Sequence, residues 1–457
     1  MKYLSILVSL LLCGLFNFAP CAYSALGAES GEALSVEDSI RIALDRNKDL
    51  EAIDSRVLQA RARIIKARAA FKPRLGFDFA YLKGDAPSAY LFKRIDAREL
   101  PAGVDFNHPG IFENLEAGLT SQYKLWDGGR KELRLEITRL GLSAKKKERD
   151  VLVNTLIGTV IETYFDVLAA EEFLEVAQSS LETVKEQLRE ARVRYKLGGA
   201  LETDVLSLEV REAQSRERLI SSQNAVELAK AGFRRLLNMN PEEPVELSGE
   251  EWKPASFPQS LTARISEALQ HRPEMMVLKE RIHSSAKAHL LSKKGDLPSL
   301  DLVGRYYMDD KGGDFEGSRA NWTIGAQVSW PIFDGGQRRG SQREAKEKHK
   351  ELLAKKASLK RRIEMEVQQA HLQLEEAKAR LEVARANSKR ARRTLDLVKK
   401  QFEAGAASVT RYLGAQTDGT RAQFRAIKAR YDVKKAKAGL GHVLGLCVRC
   451  TKEWKSQ

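Results

Sequence analysis

The chain has 457 residues, 30% of them charged, and a formal net charge of +15. That length suits two or three ordinary domains, and the basic excess suits nucleic acid or anionic lipid. The N-terminus removes nucleic acid from consideration, because it carries an export signal.

Lys2 precedes an apolar run to Ala19, followed by small residues at Ala22, Ser24 and Ala25. This is the pattern of a secretory signal peptide over residues 1–25. Cys13 and Cys21 invite a lipoprotein reading, Cys21 being the better placed, but Leu12 and Pro20 are poor residues to precede such a site. Once the signal is removed, Cys447 and Cys450 remain. A Cys-x-x-Cys redox motif normally opens a helix in a βαβ context, which the sequence lacks. A local disulfide in an oxidising compartment is the preferred reading. No other segment reaches the run of about eighteen apolar residues that a membrane-spanning helix needs.

The mature chain is written twice. ALDRNKDL at Ala43 to Leu50 returns as ALQHRPEM at Ala268 to Met275, and Pro73, Leu75 and Tyr81 return as Pro298, Leu300 and Tyr306. WDGG at Trp126 to Gly129 then matches FDGG at Phe333 to Gly336, so the first copy carries a longer insert before it. The first repeat spans residues 34–238, a linker 239–258, the second repeat 259–446 and a tail 447–457.

Each copy opens with two short alternating segments. Leu75, Phe77, Phe79 and Tyr81 alternate with Gly76, Asp78 and Ala80, and Leu115, Ala117 and Leu119 alternate with Glu116, Gly118 and Thr120. Leu300, Leu302 and Tyr306 do so more weakly, whereas Trp322 to Trp330 is strict. Strands are expected over 74–82, 114–125, 299–308 and 321–331. Apolar-out, polar-in alternation with aromatic ends is the signature of a transmembrane β-barrel strand. The eight steps from Trp322 to Trp330 cover roughly 26 Å, close to the apolar band of such barrels. Tyr81, Trp126, Trp322 and Trp330 are the expected aromatics at the lipid interfaces. A half-buried sheet in a soluble sandwich is the competing reading. Four strands cannot close a barrel, for which about eight is the minimum, so several chains must contribute.

Long helices follow each strand pair. Ser341 to Glu403 contains neither glycine nor proline, and its apolar or small positions keep a 3,4 spacing from Val367 to Phe402. The first copy repeats that spacing from Val160 to Tyr195. A sustained seven-residue period indicates helices wound about neighbours. Helices are expected over 128–196, 201–238, 335–403 and 408–446. The first is roughly 100 Å long at 1.5 Å per residue. Asp127 and Asp334 are the expected caps. Arg130, Arg338 and Arg339 oppose the helix dipole, which suggests contacts to lipid phosphates. The insert from Leu82 to Asn114 is expected to be an external loop.

The order and duplication of these motifs resemble the TolC family of outer-membrane efflux and secretion channels, over roughly residues 34 to 446. The carriers are ALDRNKDL and ALQHRPEM, Pro73 and Pro298 before the strands, WDGG and FDGG after them, and RYKLGGALETDVL at Arg194 to Leu206. The resemblance implies a mainly α fold with β: a homotrimer whose 12-stranded barrel, four strands per protomer, is continued by a periplasmic α-helical barrel. It also implies a periplasmic adaptor and an inner-membrane pump as partners, outer-membrane lipid around the barrel, and the outer membrane of a Gram-negative bacterium as location. In the family, acidic residues near the hairpin tips narrow the periplasmic mouth, and Thr203 and Asp204 match them. Arg411 stands where an aspartate is usual, Gly414 where another often stands, and Lys48 where the first copy often has proline. Arg411 is then expected either to bridge to Asp204 or to form a positive ring. The tips, Leu197, Gly198 and Gly199 with Ala404, Gly405 and Ala406, are where the resemblance puts adaptor docking.

Catalytic chemistry is not apparent. The seven histidines are scattered, His283 and His289 lie on different helix faces, and no phosphate-binding glycine loop or nucleophile elbow occurs. No catalytic residue, metal or cofactor is expected. A passive conduit is the reading; a soluble coiled-coil adaptor and a barrel-based surface receptor are its rivals.

Overall fold

The computed structural model describes residues 33–249, 252 and 256–447. The signal peptide, most of the tail and the Cys447–Cys450 pairing lie outside the described residues.

The element order writes the same layout twice. Helices α1 (Val36–Arg46) and α2 (Lys48–Ala69) lead into strand β1 (Arg74–Gly84). Helix α3 (Pro87–Asp96) precedes β2 (Phe112–Trp126), and the long α4 (Arg130–Lys196) turns back as α5 (Glu202–Leu237). The second copy runs α6 (Leu261–His271), α7 (Pro273–Lys293), β3 (Ser299–Asp310), β4 (Asn321–Ser329), α8 (Gln337–Glu403) and α9 (Val409–Leu444). The four strands form one antiparallel sheet in sequence order.

The strand and long-helix boundaries lie within two residues of the expected ranges. β4 ends at Ser329, short of the expected 331. Pro331 offers no N–H to a ladder, and the Trp330 indole instead donates to the Asp296 carbonyl at 3.1 Å. The insert after Leu82 is also not a plain loop, since it holds α3 with Pro87 in its first turn.

The two glycines of each DGG motif have a definite task. Gly128 and Gly129 have φ of 71° and 77°, and Gly335 and Gly336 65° and 94°. Two consecutive left-handed residues are needed to swing from strand to helix, and side chains make that conformation costly. The preceding aspartates then cap as expected, Asp127 accepting from the Arg130 amide and Asp334 from the Arg338 amide, both at 2.9 Å.

Each copy has an apolar core, and the first also takes in Tyr431 and Ala438 of the second copy. Ile40, Val160, Tyr164, Phe165, Phe233 and Leu237 lie in the first, and Ala268, Ile363, Val367, Leu440 and Leu444 in the second. Repeat-related positions behave alike: Val160 and Val367 are fully buried, as are Leu237 and Leu444, and Ala43 and Ala268. Tyr164 Oη donates to the Leu34 carbonyl at 2.9 Å, tying the chain's beginning to α4. One 18-residue window of α4 is apolar enough to suit a membrane crossing, which the sequence reading overlooked, and 56% of it is buried inside the chain. Its apolarity serves this core. Farther from the sheet the seam of α8 is only half-buried at Leu381, Ala384 and Ser388, leaving apolar surface on the isolated subunit.

Candidate functional site

The candidate site has two ends, the sheet and the hairpin tips, about 100 Å apart along the 67-residue helices.

At the sheet, register converts alternation into two chemically distinct faces, because residues paired across antiparallel strands share a face. One face carries the rows Phe77, Leu119, Tyr306, Trp322 and Phe79, Ala117, Met308. The other carries Gly76, Thr120, Arg305, Thr323 and Lys124, Asp301, Gln327. The apolar face is bare: Phe77, Trp322 and Ile324 are 68%, 70% and 72% exposed. A soluble sheet would bury such a row, so the sandwich reading fails for lack of a second layer. The polar face is internally satisfied. Lys124 Nζ lies 2.8 Å from Asp301, Thr120 donates to Asp78 at 3.2 Å, and Arg305 pairs with Glu116.

Of the expected interface aromatics, Trp126 reaches the apolar face by a device the sequence hides. Simple alternation from Leu119 would turn Trp126 to the polar side. A bulge between Lys124 and Trp126 inserts one residue, so that Trp126 faces Leu300 and Val328. Trp126 and Trp330 lie at the helix end of the sheet, Tyr81 and Trp322 toward the other end, and all four are exposed. The arginines at this junction differ from expectation. Arg338 is held by Asp334 at 2.8 Å and Asp296 at 3.0 Å, and Arg130 Nε donates to the Asp127 carbonyl at 2.7 Å. Among these three only Arg339 is exposed, Arg130 and Arg338 being half-buried.

At the other end, Leu197, Gly198, Gly199, Ala404, Gly405 and Ala406 form two bare turns; Leu197 is 81% exposed. Gly198 and Gly405 both take φ of 75°. Thr203 and Asp204 open α5 and Arg411 lies in the first turn of α9. The expected Arg411 to Asp204 bridge is not formed within the subunit: among the described residues no ion pair joins them. Asp204 is occupied in capping α5, accepting from the Leu201 amide at 3.3 Å, and the Arg411 side chain stays exposed.

The two hairpins are instead joined by residues that sequence reasoning did not single out. Gln187 Nε2 donates to Tyr412 Oη at 2.8 Å, Tyr412 stacks on Phe402 at 5.1 Å, and the Arg194 guanidinium lies over Phe402 at 5.9 Å. Burial raises the Tyr412 hydroxyl above the usual phenol range despite the Gln187 bond. These groups flank a groove of about 400 Å³ that also touches Gly199, Asp204 and Gly405. Farther up, Ser179, Ser180, Thr183 and Gln416, with Val176 and Leu395, line a smaller gap of about 160 Å³ between the hairpins. Arg211 of α5 is pushed below its ordinary range by burial, then by the like charges of Arg218 and Arg421. The only sequence signal for this junction was a tyrosine and a phenylalanine near otherwise polar tips.

Among the described residues no group of three His, Cys, Asp or Glu could hold a metal ion. His442, His371 and His349 are instead tied to Asn154, Arg264 and Ser285.

Comparison with known proteins agrees with this layout. The pyoverdine export outer membrane protein OpmQ of Pseudomonas putida is 23% identical over 422 residues, covering 90% of this chain and 85% of that one. The outer membrane protein TolC of Escherichia coli is 22% identical over 449 residues, covering 94% and 84%. The crystal structure of the Campylobacter jejuni CmeC outer membrane channel superposes with a TM-score of 0.79 at 17% identity, covering 97% of this chain and 98% of that one. The description "outer membrane efflux protein" matches residues 39–239 and 264–446, both repeats without the linker. An exposed apolar sheet joined to paired long hairpins, in a chain so matched, is an outer-membrane channel protein of a Gram-negative bacterium, and the chain belongs to the outer membrane efflux protein family.

Proposed function

We propose that three copies of the chain form a passive conduit from periplasm to exterior, closed at the helical tips until partner proteins loosen them. The observation that carries this is a four-stranded sheet with a bare apolar face and two unpaired edges, β1 and β4. In hydrocarbon, unpaired backbone groups each cost several kcal/mol, so the edges must be satisfied by other subunits. β1 and β4 run antiparallel to each other, so copies joined edge to edge continue the alternation without a break. Two copies would give eight strands, a barrel about filled by its own side chains, whereas three give twelve and leave a lumen.

The polar seam supports a movable tip. Midway along the helices the hairpins share an apolar core in which Phe165 meets Tyr431, but toward the tips they meet through the Gln187–Tyr412 hydrogen bond, small hydroxyl residues and a small cluster of Leu188, Val205 and Leu208 with Leu413. Such contacts are lost at little cost when water enters. The exposed turns at Leu197 to Gly199 and Ala404 to Ala406 are the surface offered to a periplasmic adaptor, and an inner-membrane pump supplies the energy. Thr203, Asp204 and Arg411 line the mouth, with Arg411 as a positive ring. The channel reading is supported by the family, which is made of channel proteins, and it assigns the chain no step of chemistry.

The test is reconstitution of the chain after detergent extraction from outer membranes. Cross-linking is expected to end at trimer, and the same sample is expected to conduct ions across a planar bilayer. A water-soluble monomer without conductance would refute the reading and favour the coiled-coil adaptor.

A further inference from the structure

The insert between β1 and β2 does not hang outside the sheet. Lys93 of α3 lies 2.9 Å from Asp309 and also pairs with Glu116, residues that face each other across β2 and β3 on the polar side. Asp309 is fully buried and also accepts from Asn114 Nδ2 at 2.7 Å. Three residues on, Asp96 reaches the same face. Its carboxylate accepts from Tyr307 Oη at 3.1 Å and its carbonyl from Asn321 Nδ2 at 2.9 Å, and Tyr307 and Asn321 are paired neighbours there. The segment after the helix is fastened too: Arg98 Nη2 donates to the Ala320 carbonyl at 3.1 Å, and Glu99 lies 2.6 Å from Arg319. α3 is therefore seated on the polar face at the end of the sheet remote from the long helices. Its outer surface exposes Phe92 (65%) and Ile95 (47%).

We infer that α3 is an inward-folded plug that narrows the outer mouth of the barrel, a second constriction separate from the helical tips. This rests on the conduit reading above, which makes the polar face the lumen wall. Three copies of α3 then stand inside the rim, with Phe92 and Ile95 toward the axis, and the Lys93 clamp onto Glu116 and Asp309 holds each in place. The constriction selects by size: small solutes pass between the plugs, and bulky ones pass only when the clamp is released.

Cysteine labelling from outside intact cells tests this, with the unsubstituted full chain as control for Cys447 and Cys450. Thr323→Cys lies on the polar face below α3, and Ile324→Cys is its neighbour on the apolar face. A small charged maleimide is expected to label Thr323→Cys and a bulky polymer-linked maleimide to label it far more slowly. Adding Lys93→Met, or replacing residues 86–99 by a glycine-serine linker, is expected to raise the bulky reagent's rate by about tenfold or more, as loss of a charge-assisted clamp shifts the plug's equilibrium. Equal bulky-reagent rates with and without the clamp and helix would overturn the plug while leaving the barrel intact. Labelling of Ile324→Cys by the charged reagent as fast as Thr323→Cys would instead show that the sheet is not a membrane wall, and both readings would fall.

Discussion

Replacing Ala326 by arginine places a charge where the two faces of the sheet matter most. Ala326 pairs with Leu302, which pairs with Tyr123, so it belongs to the apolar face. It lies four residues from Trp322 and four from Trp330, or about 13 Å from each at roughly 3.3 Å per residue. That is the middle of the apolar band, where a lipid-facing arginine costs ~2–4 kcal/mol, falling toward the interfaces. Over three subunits the penalty is ~6–12 kcal/mol, and even one subunit's share disfavours insertion by about 30-fold. Gln327 is the matched control one residue on. It faces the other way, in the row of Lys124 and Asp301, where an added arginine meets water and a carboxylate. Ala326→Arg is expected to abolish detergent-extractable trimer from the outer membrane, and Gln327→Arg to leave it near wild type. Urea titration of protein refolded into lipid vesicles gives the free-energy difference directly. Equal behaviour of the two variants, in either direction, would refute the assignment of faces.

Tyr412→Phe removes the hydroxyl that accepts from Gln187. At a net ~0.5–1.5 kcal/mol per hydrogen bond, three copies destabilise the closed tip by ~1.5–4.5 kcal/mol, raising the open fraction about ten- to thousandfold. Single-channel recordings read this as longer open dwells, and an unchanged open fraction would remove the pair from the gate. Phe165, fully buried against Tyr164, Trp252 and Tyr431, is expected to cost ~3–5 kcal/mol when cut to alanine. A lowered denaturant midpoint would show it, and a wild-type midpoint would mean that the core is not shared by these elements. Glu148 anchors α7 to α4 through Arg281 at 2.6 Å. Its burial raises the carboxyl pKa, but the bonds from Lys145 and Arg281 outweigh this and hold it below its ordinary 4.5. A depressed carboxylate stabilises the fold above the unfolded pKa, and that contribution is lost as pH falls through the folded one. The wild-type melting temperature should therefore fall more steeply below about pH 4.5 than that of Glu148→Gln; parallel curves would contradict the assignment.

The positions that sequence read correctly are those where one local rule suffices. Helix length follows from an unbroken 3,4 spacing, and reversals follow from Gly198 and Gly405 because a left-handed residue there needs glycine. The strand faces follow from alternation, and the duplication marks which buried positions correspond, as at Val160 and Val367. Two of the features that sequence did not supply involve partners distant in the chain. Trp126 was expected at a lipid interface, and the bulge that turns it to the apolar face exists only in its pairing with β3. Arg338, expected on lipid phosphate, is claimed by Asp296 from another element.

Sequence by itself determined the kind of object this is: short lipid-facing strands and helices too long for one globular core, written twice. Those features depend on periodicity and on backbone geometry, which neighbouring residues carry. Tertiary structure alone decided how the ends are held, through Gln187 to Tyr412 across the hairpins and Lys93 to Asp309 across the sheet, 225 and 216 residues apart in the chain. Such pairs leave no local pattern, because a hydrogen bond or ion pair is specified by where two side chains meet in space.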